Sequence, residues 1–306
     1  MDRAEYQISP STESEHRRRV NLAIEYIEKH LDEQPTVEEI AAAACFSPFH
    51  FHRIFRAFTG EPVASYRRRL LLNRAALHLL QRPASTVEQV ALDHGFSTAS
   101  DFARSFRRQF RLSPSAYRRQ GGASPRESSP RKPSAERFRA GWIRRVERSV
   151  TIETGIDLRL AYVRCTGLSP AFKSRRIADA FARLYRWARA RGYLDATVRP
   201  YGIYLDNPEV TPLQECRYLA CLAVRDEAQP EDGFGIREVP AGRGYVRYRF
   251  LRVSPFFVRR FFRVSLYLYR HWIPCHGLLP SDSPIMEAYR LSGKRARHLD
   301  LLLPIE

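Results

Sequence analysis

The sequence predicts two domains: an all-α domain built from a tandem pair of helical units, then an α+β domain of two β-β-α-β-β halves that form one antiparallel sheet with both helices on one face. Three observations carry this. A six-residue motif recurs fifty positions downstream within the first 120 residues, a Gly/Ser/Pro/Arg-rich stretch follows it, and from about Val146 the apolar pattern changes to strand-like alternation. The length of 306 residues, 44% hydrophobic and 27% charged, suits two soluble cores at about 150 residues per domain.

In the repeat, Thr36-Val37-Glu38-Glu39-Ile40-Ala41 returns as Thr86-Val87-Glu88-Gln89-Val90-Ala91, and both runs continue to Phe-Ser, at Phe46-Ser47 and Phe96-Ser97. Each copy predicts a short helix opened by a capping box, Thr36 with Glu39 and Thr86 with Gln89. Each then breaks, at Cys45-Phe46 and at Gly95-Phe96, and a second helix starts with Ser47 or Ser97 as its N-cap. Phe51, Ile54, Phe55 and Phe58 form an apolar stripe on one such helix, and Phe102, Phe106 and Phe110 on the other. The faces left for a partner carry Phe49, His52, Arg53 and Arg56, then Ala99, Ser100, Arg104 and Arg107 or Arg108. A short helix, a tight turn and an amphipathic helix make a helix-turn-helix, whose second helix reads the major groove of double-stranded DNA. Between the copies, Pro62 to Gln81 reads as one helix ended by Pro83. Its length of roughly 30 Å is close to one turn of B-DNA, about 34 Å, so the two units can dock in successive major grooves.

Gly121 to Gly141, with Pro125, Pro130 and Pro133, reads as a flexible basic connector. Beyond it, strands are expected at Ser149–Glu153, Leu158–Cys165, Tyr201–Leu205, Tyr218–Val224, Ile236–Val239, Gly244–Leu251, Ile285–Tyr289 and Leu299–Leu303. Helices are expected at about 175–191 and 255–272, which gives the two β-β-α-β-β halves. The domains are therefore placed at 16–120 and 146–306, joined by 121–145.

Charge is weaker support for a nucleic-acid partner. The net charge is +18, but +4 belongs to residues 1–120, +5 to 121–148 and +9 to 149–306, and 47 arginines accompany four lysines, a usage that can be genome-wide. The first fifteen residues contain no apolar signal region and no stretch of about 18 apolar residues occurs, so neither export nor membrane insertion is expected. Five cysteines without CxxC spacing read as reduced packing residues of a cytoplasmic protein. No cofactor or metal motif stands out, since Cys275-His276 is adjacent rather than ligand-spaced.

The run Phe46-Ser47-Pro48-Phe49-His50-Phe51-His52-Arg53-Ile54-Phe55-Arg56, with Gly95-Phe96-Ser97 and the closing Phe110 to Arg118, resembles the AraC-type DNA-binding domain. The resemblance implies groove-facing roles for Phe49, His52 and Arg53 in the first unit and for Ala99, Ser100, Asp101 and Arg104 in the second. Asp101 would be repelled by phosphates, so an orienting role suits it better. It also implies a transcription regulator acting at promoters with RNA polymerase, cytoplasmic and nucleoid-associated. In the second domain, Tyr201-Gly202-Ile203-Tyr204-Leu205-Asp206-Asn207-Pro208, Pro240-Ala241-Gly242 and Met286-Glu287-Ala288-Tyr289 are similar to the GyrI-like small-molecule-binding domain. There the resemblance implies a cavity glutamate, at Glu287, that contacts cationic or lipophilic effectors.

Glu287 is a carboxylate within a short apolar strand, on the same side as Ile285 and Tyr289. Two readings compete: an ion pair with one of the many arginines, or the anion of an aromatic pocket in which Tyr204, Trp187, Trp272 or Tyr289 supply cation–π faces. The rival functions are a GyrI-like hydrolase, with Glu287 and a tyrosine as base and hydrogen-bond donor, and a drug-sequestering protein. The tandem helix-turn-helix argues against either as the principal role, and no enzyme is expected.

Overall fold

A computed structural model of the chain describes residues 10–82, 84–121, 138–168, 175–194, 198–206, 211, 214–230, 233–251, 257–281, 283–292 and 295–306. The chain forms two compact units, Met1–Leu72 with Gln229–Gly235, and Asn73–Ala228 with Ile236–Glu306.

In the first unit, α1 (Pro10–Lys29) buries Val20, Ala23, Ile24 and Ile27 against α2 (Val37–Ala43) and α3 (Pro48–Thr59). The sequence reading passed over α1, although this i, i+3, i+4, i+7 spacing is helical. Helix α2 opens with the expected capping box: Glu39 N donates to the Thr36 hydroxyl at 3.2 Å, and Thr36 N donates to the Glu39 carboxylate at 2.7 Å. The break lies at Cys45, which adopts φ 55°, while Phe46 N donates back to Ala41 O at 2.9 Å. Ser47 caps α3 by position, but its hydroxyl makes no capping bond. Phe51 and Phe55 are fully buried and Ile54 and Phe58 half-buried, so the stripe faces the core as expected. The helix stops at Gly60 in the left-handed region, φ 83°. Helix α4 (Val63–Gln81) follows, and the division between the units falls within it.

In the second unit, α5 (Val87–Asp93), α6 (Ala99–Phe110) and α7 (Pro114–Arg119) repeat the pattern with two differences. The Thr86 hydroxyl accepts from Gln89 N at 3.0 Å, but the Gln89 side chain turns forward to Asp93 at 2.6 Å, so half of the expected box forms. The N-cap of α6 is Thr98 rather than Ser97, its hydroxyl accepting from Asp101 N at 3.1 Å. One extra residue after the turn moves the cap from the fifty- to the fifty-one-residue offset. The turn itself matches its partner: Gly95 has φ 74°, and Phe96 N donates to Ala91 O at 3.0 Å. Phe102, Phe106, Phe110 and Tyr117 then pack ring on ring at 4.4 to 5.3 Å, each fully buried ring contributing about 1.5–3 kcal/mol.

Residues 122–137 of the expected connector lie outside the described residues, as does Pro83. Helix α8 (Ala140–Glu147) leads into β1 (Val150–Glu153) and β2 (Leu158–Thr166). Next come α9 (Arg175–Ala190), β3 (Pro200–Tyr204), β4 (Arg217–Ala223), β5 (Gly235–Val239) and β6 (Gly244–Phe250). Helix α10 (Phe257–Tyr267) widens into a π-helical turn at Leu268–Trp272, and β7 (Ile285–Ser292) and β8 (Arg295–Ile305) complete one eight-stranded sheet. The strand order is β1-β6-β8-β7-β3-β4-β2-β5, and the pairs β1–β6, β6–β8, β8–β7, β7–β3, β3–β4 and β4–β2 are antiparallel. Helix α9 packs on β2 and β4. Of the cysteines, Cys165, Cys216 and Cys221 are buried packing residues, whereas Cys45 and Cys275 are exposed, contrary to the packing role expected of all five.

Candidate nucleic-acid interface and buried carboxylate

Burying the phenylalanine stripe of an amphipathic helix exposes the opposite face. On α3, His52, Arg53 and Arg56 are exposed beside buried Phe51 and Phe55, while the side chain of Phe49 lies outside the described residues. On α6, Ser100, Arg104, Arg107 and Arg108 are exposed, and Ala99 and Asp101 are half-buried. Asp101 uses its backbone N–H in the Thr98 cap, and its carboxylate lies 3.7 Å from the Arg104 guanidinium. Asp101 is therefore paired with a guanidinium rather than a lone anion on this face. A depression of about 330 Å³ on this face is lined by Ala103, Arg104, Arg107, Arg108 and Arg111. Arg111 was missed from sequence. It is the C-cap of α6 at φ 60°, which turns the chain back so that a fourth guanidinium joins the row. Guanidiniums are weakly hydrated, planar and permanently charged, which suits phosphate oxygens and guanine edges.

The second site lies on the sheet. Glu287 on β7 pairs in register with Gly202 on β3, which pairs with Ala220 on β4. Period-two alternation then places Tyr204, Tyr218 and Tyr289 on the same face as Glu287. The carboxylate is fully buried. Its Oε1 accepts from the Tyr204 hydroxyl at 2.6 Å, and its Oε2 from Tyr289 at 2.7 Å and Tyr218 at 3.3 Å. Among the described residues, its partners are three phenols and no arginine, so the ion-pair alternative is replaced by a hydrogen-bonded cage. Burial pushes the Glu287 carboxyl up to about 7, and the hydrogen bonds from Tyr204, Tyr289 and Tyr218 oppose that rise. Burial first, and the neighbouring carboxylate next, hold the Tyr204 phenol well above its ordinary range.

Sequence reasoning named Tyr204 and Tyr289 but missed Tyr218. The available signal was Gly202: a Cβ there would meet the Tyr218 hydroxyl at 1.9 Å, so a glycine in an apolar strand marked a close approach. Phe261 lies 5.7 Å from Tyr204 and Phe181 lies 6.0 Å from Tyr289, supplying aromatic walls from α10 and α9. Trp187 and Trp272 are both buried; Trp187 packs with Tyr193 at 5.3 Å, and Trp272 stacks on His276 at 3.9 Å. Among the described residues, no group of three or more His, Cys, Asp or Glu side chains could hold a metal ion, and no helix is long and apolar enough to cross a membrane.

Comparison with known proteins matches residues 40–120 to a helix-turn-helix domain family and residues 148–305 to the GyrI-like small molecule binding domain. The chain is 33% identical over 183 residues to the uncharacterized HTH-type transcriptional regulator YbfP of Bacillus subtilis (strain 168), covering 59% of this chain and 60% of that one. It is 35% identical over 96 residues to the Right origin-binding protein of Escherichia coli (strain K12), covering 31% and 32% of the two chains. The chain thus spans 60% and about a third of these relatives' lengths. Among solved structures, the DNA-binding domain of AdpA in complex with a target DNA is 33% identical, covering 33% of this chain and 90% of that one, with a TM-score of 0.31.

Proposed function

The chain belongs to the GyrI-like small molecule binding family and carries an AraC-type helix-turn-helix domain, and from this premise we propose that it is a sequence-specific DNA-binding regulator of transcription whose sheet domain takes a cationic or lipophilic effector. The observation that carries the first part is the pair of matched helices, each burying its phenylalanines and exposing an arginine face. Residues 16–120 act as the DNA-binding domain, 121–145 as connector and 146–306 as effector domain. Arg53 and Arg104, mid-helix, contact guanine edges, while Arg56, Arg107 and Arg108 contact phosphates. His52, Ser100 and the Phe49 and Ala99 positions complete the two groove surfaces, with Asp101 orienting Arg104. The protein acts on promoter DNA in the cytoplasm, together with RNA polymerase.

The two β-β-α-β-β halves are read as pseudo-twofold partners with both helices on one face. The strand order supports this, since it keeps its form when β1–β4 are exchanged with β5–β8. Glu287, near the centre of that order on β7, supplies the anion, and Tyr204 and Tyr289 supply ring faces and hydroxyls. Trp187 and Trp272, which pack on Tyr193 and His276, are further candidate ring faces for a cation. Two measurements on the full chain test the proposal. Selection from genomic DNA followed by electrophoretic titration yields a duplex bound far more tightly than random DNA; equal affinity for both rejects sequence-specific regulation. Calorimetry with methyltriphenylphosphonium and neutral triphenylphosphine oxide shows Glu287→Gln weakening the cation more than the neutral ligand; equal weakening rejects the anionic pocket.

A second reading is favoured by the Glu287 carboxyl at about 7 beside phenol donors, a pairing suited to acid–base chemistry. Turnover of an ester panel that disappears in Glu287→Gln would assign hydrolysis to the sheet domain.

A further inference from the structure

The second helix-turn-helix copy and the sheet belong to one compact unit, and among the bonds that join them is a buried amide. Asn73, on α4, is 7% exposed. Its Nδ2 donates to the Thr211 hydroxyl at 3.1 Å, and its Oδ1 accepts from Gln109 Nε2 at 2.6 Å. Gln109 stands on α6 next to Arg108, on the helix whose opposite face carries Arg104. Thr211 stands in the connection between β3 and β4.

The described residues on either side of Thr211 are bonded to one another. The Asp206 carboxylate accepts from Arg217 N at 2.9 Å, Nε at 2.7 Å and Nη2 at 2.8 Å, with both side chains buried. Cys216 Sγ donates to Thr211 O at 3.4 Å. The next residue along β4, Tyr218, points to the other face and reaches Glu287. One chain segment, 216–218, therefore holds Thr211 with one residue, the Asp206 clamp with the next, and Glu287 with the third.

We propose that this segment and the Asn73 bridge carry occupancy of the Glu287 site to the DNA-reading face of α6, so that effector binding changes DNA affinity through Thr211, Asn73 and Gln109. The inference rests on the reading of Glu287 as the effector carboxylate. A cation that takes up the carboxylate competes with the Tyr218 hydroxyl, whose bond is the longest of the three and which also lies 3.3 Å from the Tyr289 hydroxyl. Displacing Tyr218 shifts β4 at Arg217 and moves Thr211 against Asn73. A buried amide cannot leave one end unbonded cheaply, so Asn73 follows Thr211 and pulls on Gln109. Two arginine anchors frame this motion by holding the copy elsewhere: Arg82 Nη2, which donates to the Glu306 carboxylate at 2.9 Å and to Pro280 O at 3.4 Å, and Arg270 Nη2, which donates to Gly121 O at 3.1 Å. Both involve more exposed groups than the Asn73 amide and anchor the ends of the copy rather than α6.

The test uses the full chain, the genomically selected duplex and methyltriphenylphosphonium. Wild-type DNA affinity is expected to change about fivefold or more on saturation with the cation. Thr211→Val, which removes the hydroxyl and keeps the shape, is expected to bind the cation as wild type does by calorimetry while the DNA response falls below about twofold. Gln109→Met, on the half-exposed side of α6, is expected to lose the response in the same way. A full response in both variants overturns the relay and leaves the effector site standing, as does a cation that binds wild type without altering DNA affinity. If the cation does not bind wild type, the effector reading fails and the relay is read without ligand, from a double-mutant cycle of Tyr218→Phe and Gln109→Met on DNA affinity. Coupling of about twofold or more supports the relay, and simple additivity overturns it.

Discussion

Glu287 takes its proton behaviour from burial, and the sign of the consequence follows. Its folded carboxyl titrates at about 7, above the ordinary 4.5, so folding draws a proton onto it. The stability tied to that proton is fully present below about pH 4.5 and is lost as pH rises through 7, a change on the order of 3 kcal/mol. Glu287→Gln therefore flattens the decline of urea-unfolding stability between pH 5 and 8; equal slopes in variant and wild type would reject this account. Arg53 and Arg104 set a different test, because a bidentate guanine contact discriminates where a phosphate contact does not. Arg53→Ala or Arg104→Ala is expected to cost about 1–3 kcal/mol on the selected duplex and less on random DNA. Titrations showing equal losses on both would demote them to phosphate contacts.

At the level of elements, the caps decide where each recognition helix begins. Thr98→Ala removes the hydroxyl that accepts from Asp101 N and is expected to cost about 1 kcal/mol, while Ser97→Ala is near neutral, as denaturant midpoints would report. A larger loss for Ser97 would return the cap to the fifty-residue offset. On the sheet, Gly202→Ala forces the Tyr218 hydroxyl away from Glu287 and is expected to cost about 1–3 kcal/mol; an unchanged melting temperature would contradict the close approach. These elements also mark what was legible in sequence. Strand ends were readable to within a few residues because alternation and turn glycines are local signals, and the phenylalanine stripes were readable because burial follows helical period. The shift of the α6 cap by one residue was not, since Ser97 and Thr98 are chemically interchangeable caps and geometry alone chooses between them. Tyr218 was legible only in part: Gly202 signals a close approach, but which residue makes it depends on the β3–β4 register, which is a long-range property.

For the molecule as a whole, the +18 charge says less than its placement, since the exposed arginines of α3 and α6 belong to residues 1–120, which carry only +4 of it. Each copy is proposed to take its own major groove. Hydroxyl-radical footprinting is expected to show protection spread over two successive major grooves, with Arg53→Ala weakening one half and Arg104→Ala the other. Protection of a single groove would mean that one copy has surrendered DNA reading for another task. The helix-turn-helix domain was thus legible in the tandem motif, whereas the tyrosine cage and the Asn73 bridge needed three dimensions, being built from residues far apart in the chain.

The interleaved strand order also governs how the protein is made. Val150 on β1 pairs with Tyr248 on β6, about 100 positions later, and β5 lies beside β2. At a synthesis rate of about 5–20 residues per second, β1 waits on the order of 5–20 s for its neighbour to leave the ribosome. The short helices of the first 120 residues need no such delay, because their caps and turns close within a few positions. In each newborn chain, the residues of both helix-turn-helix copies have been made before the strands that close the sheet leave the ribosome.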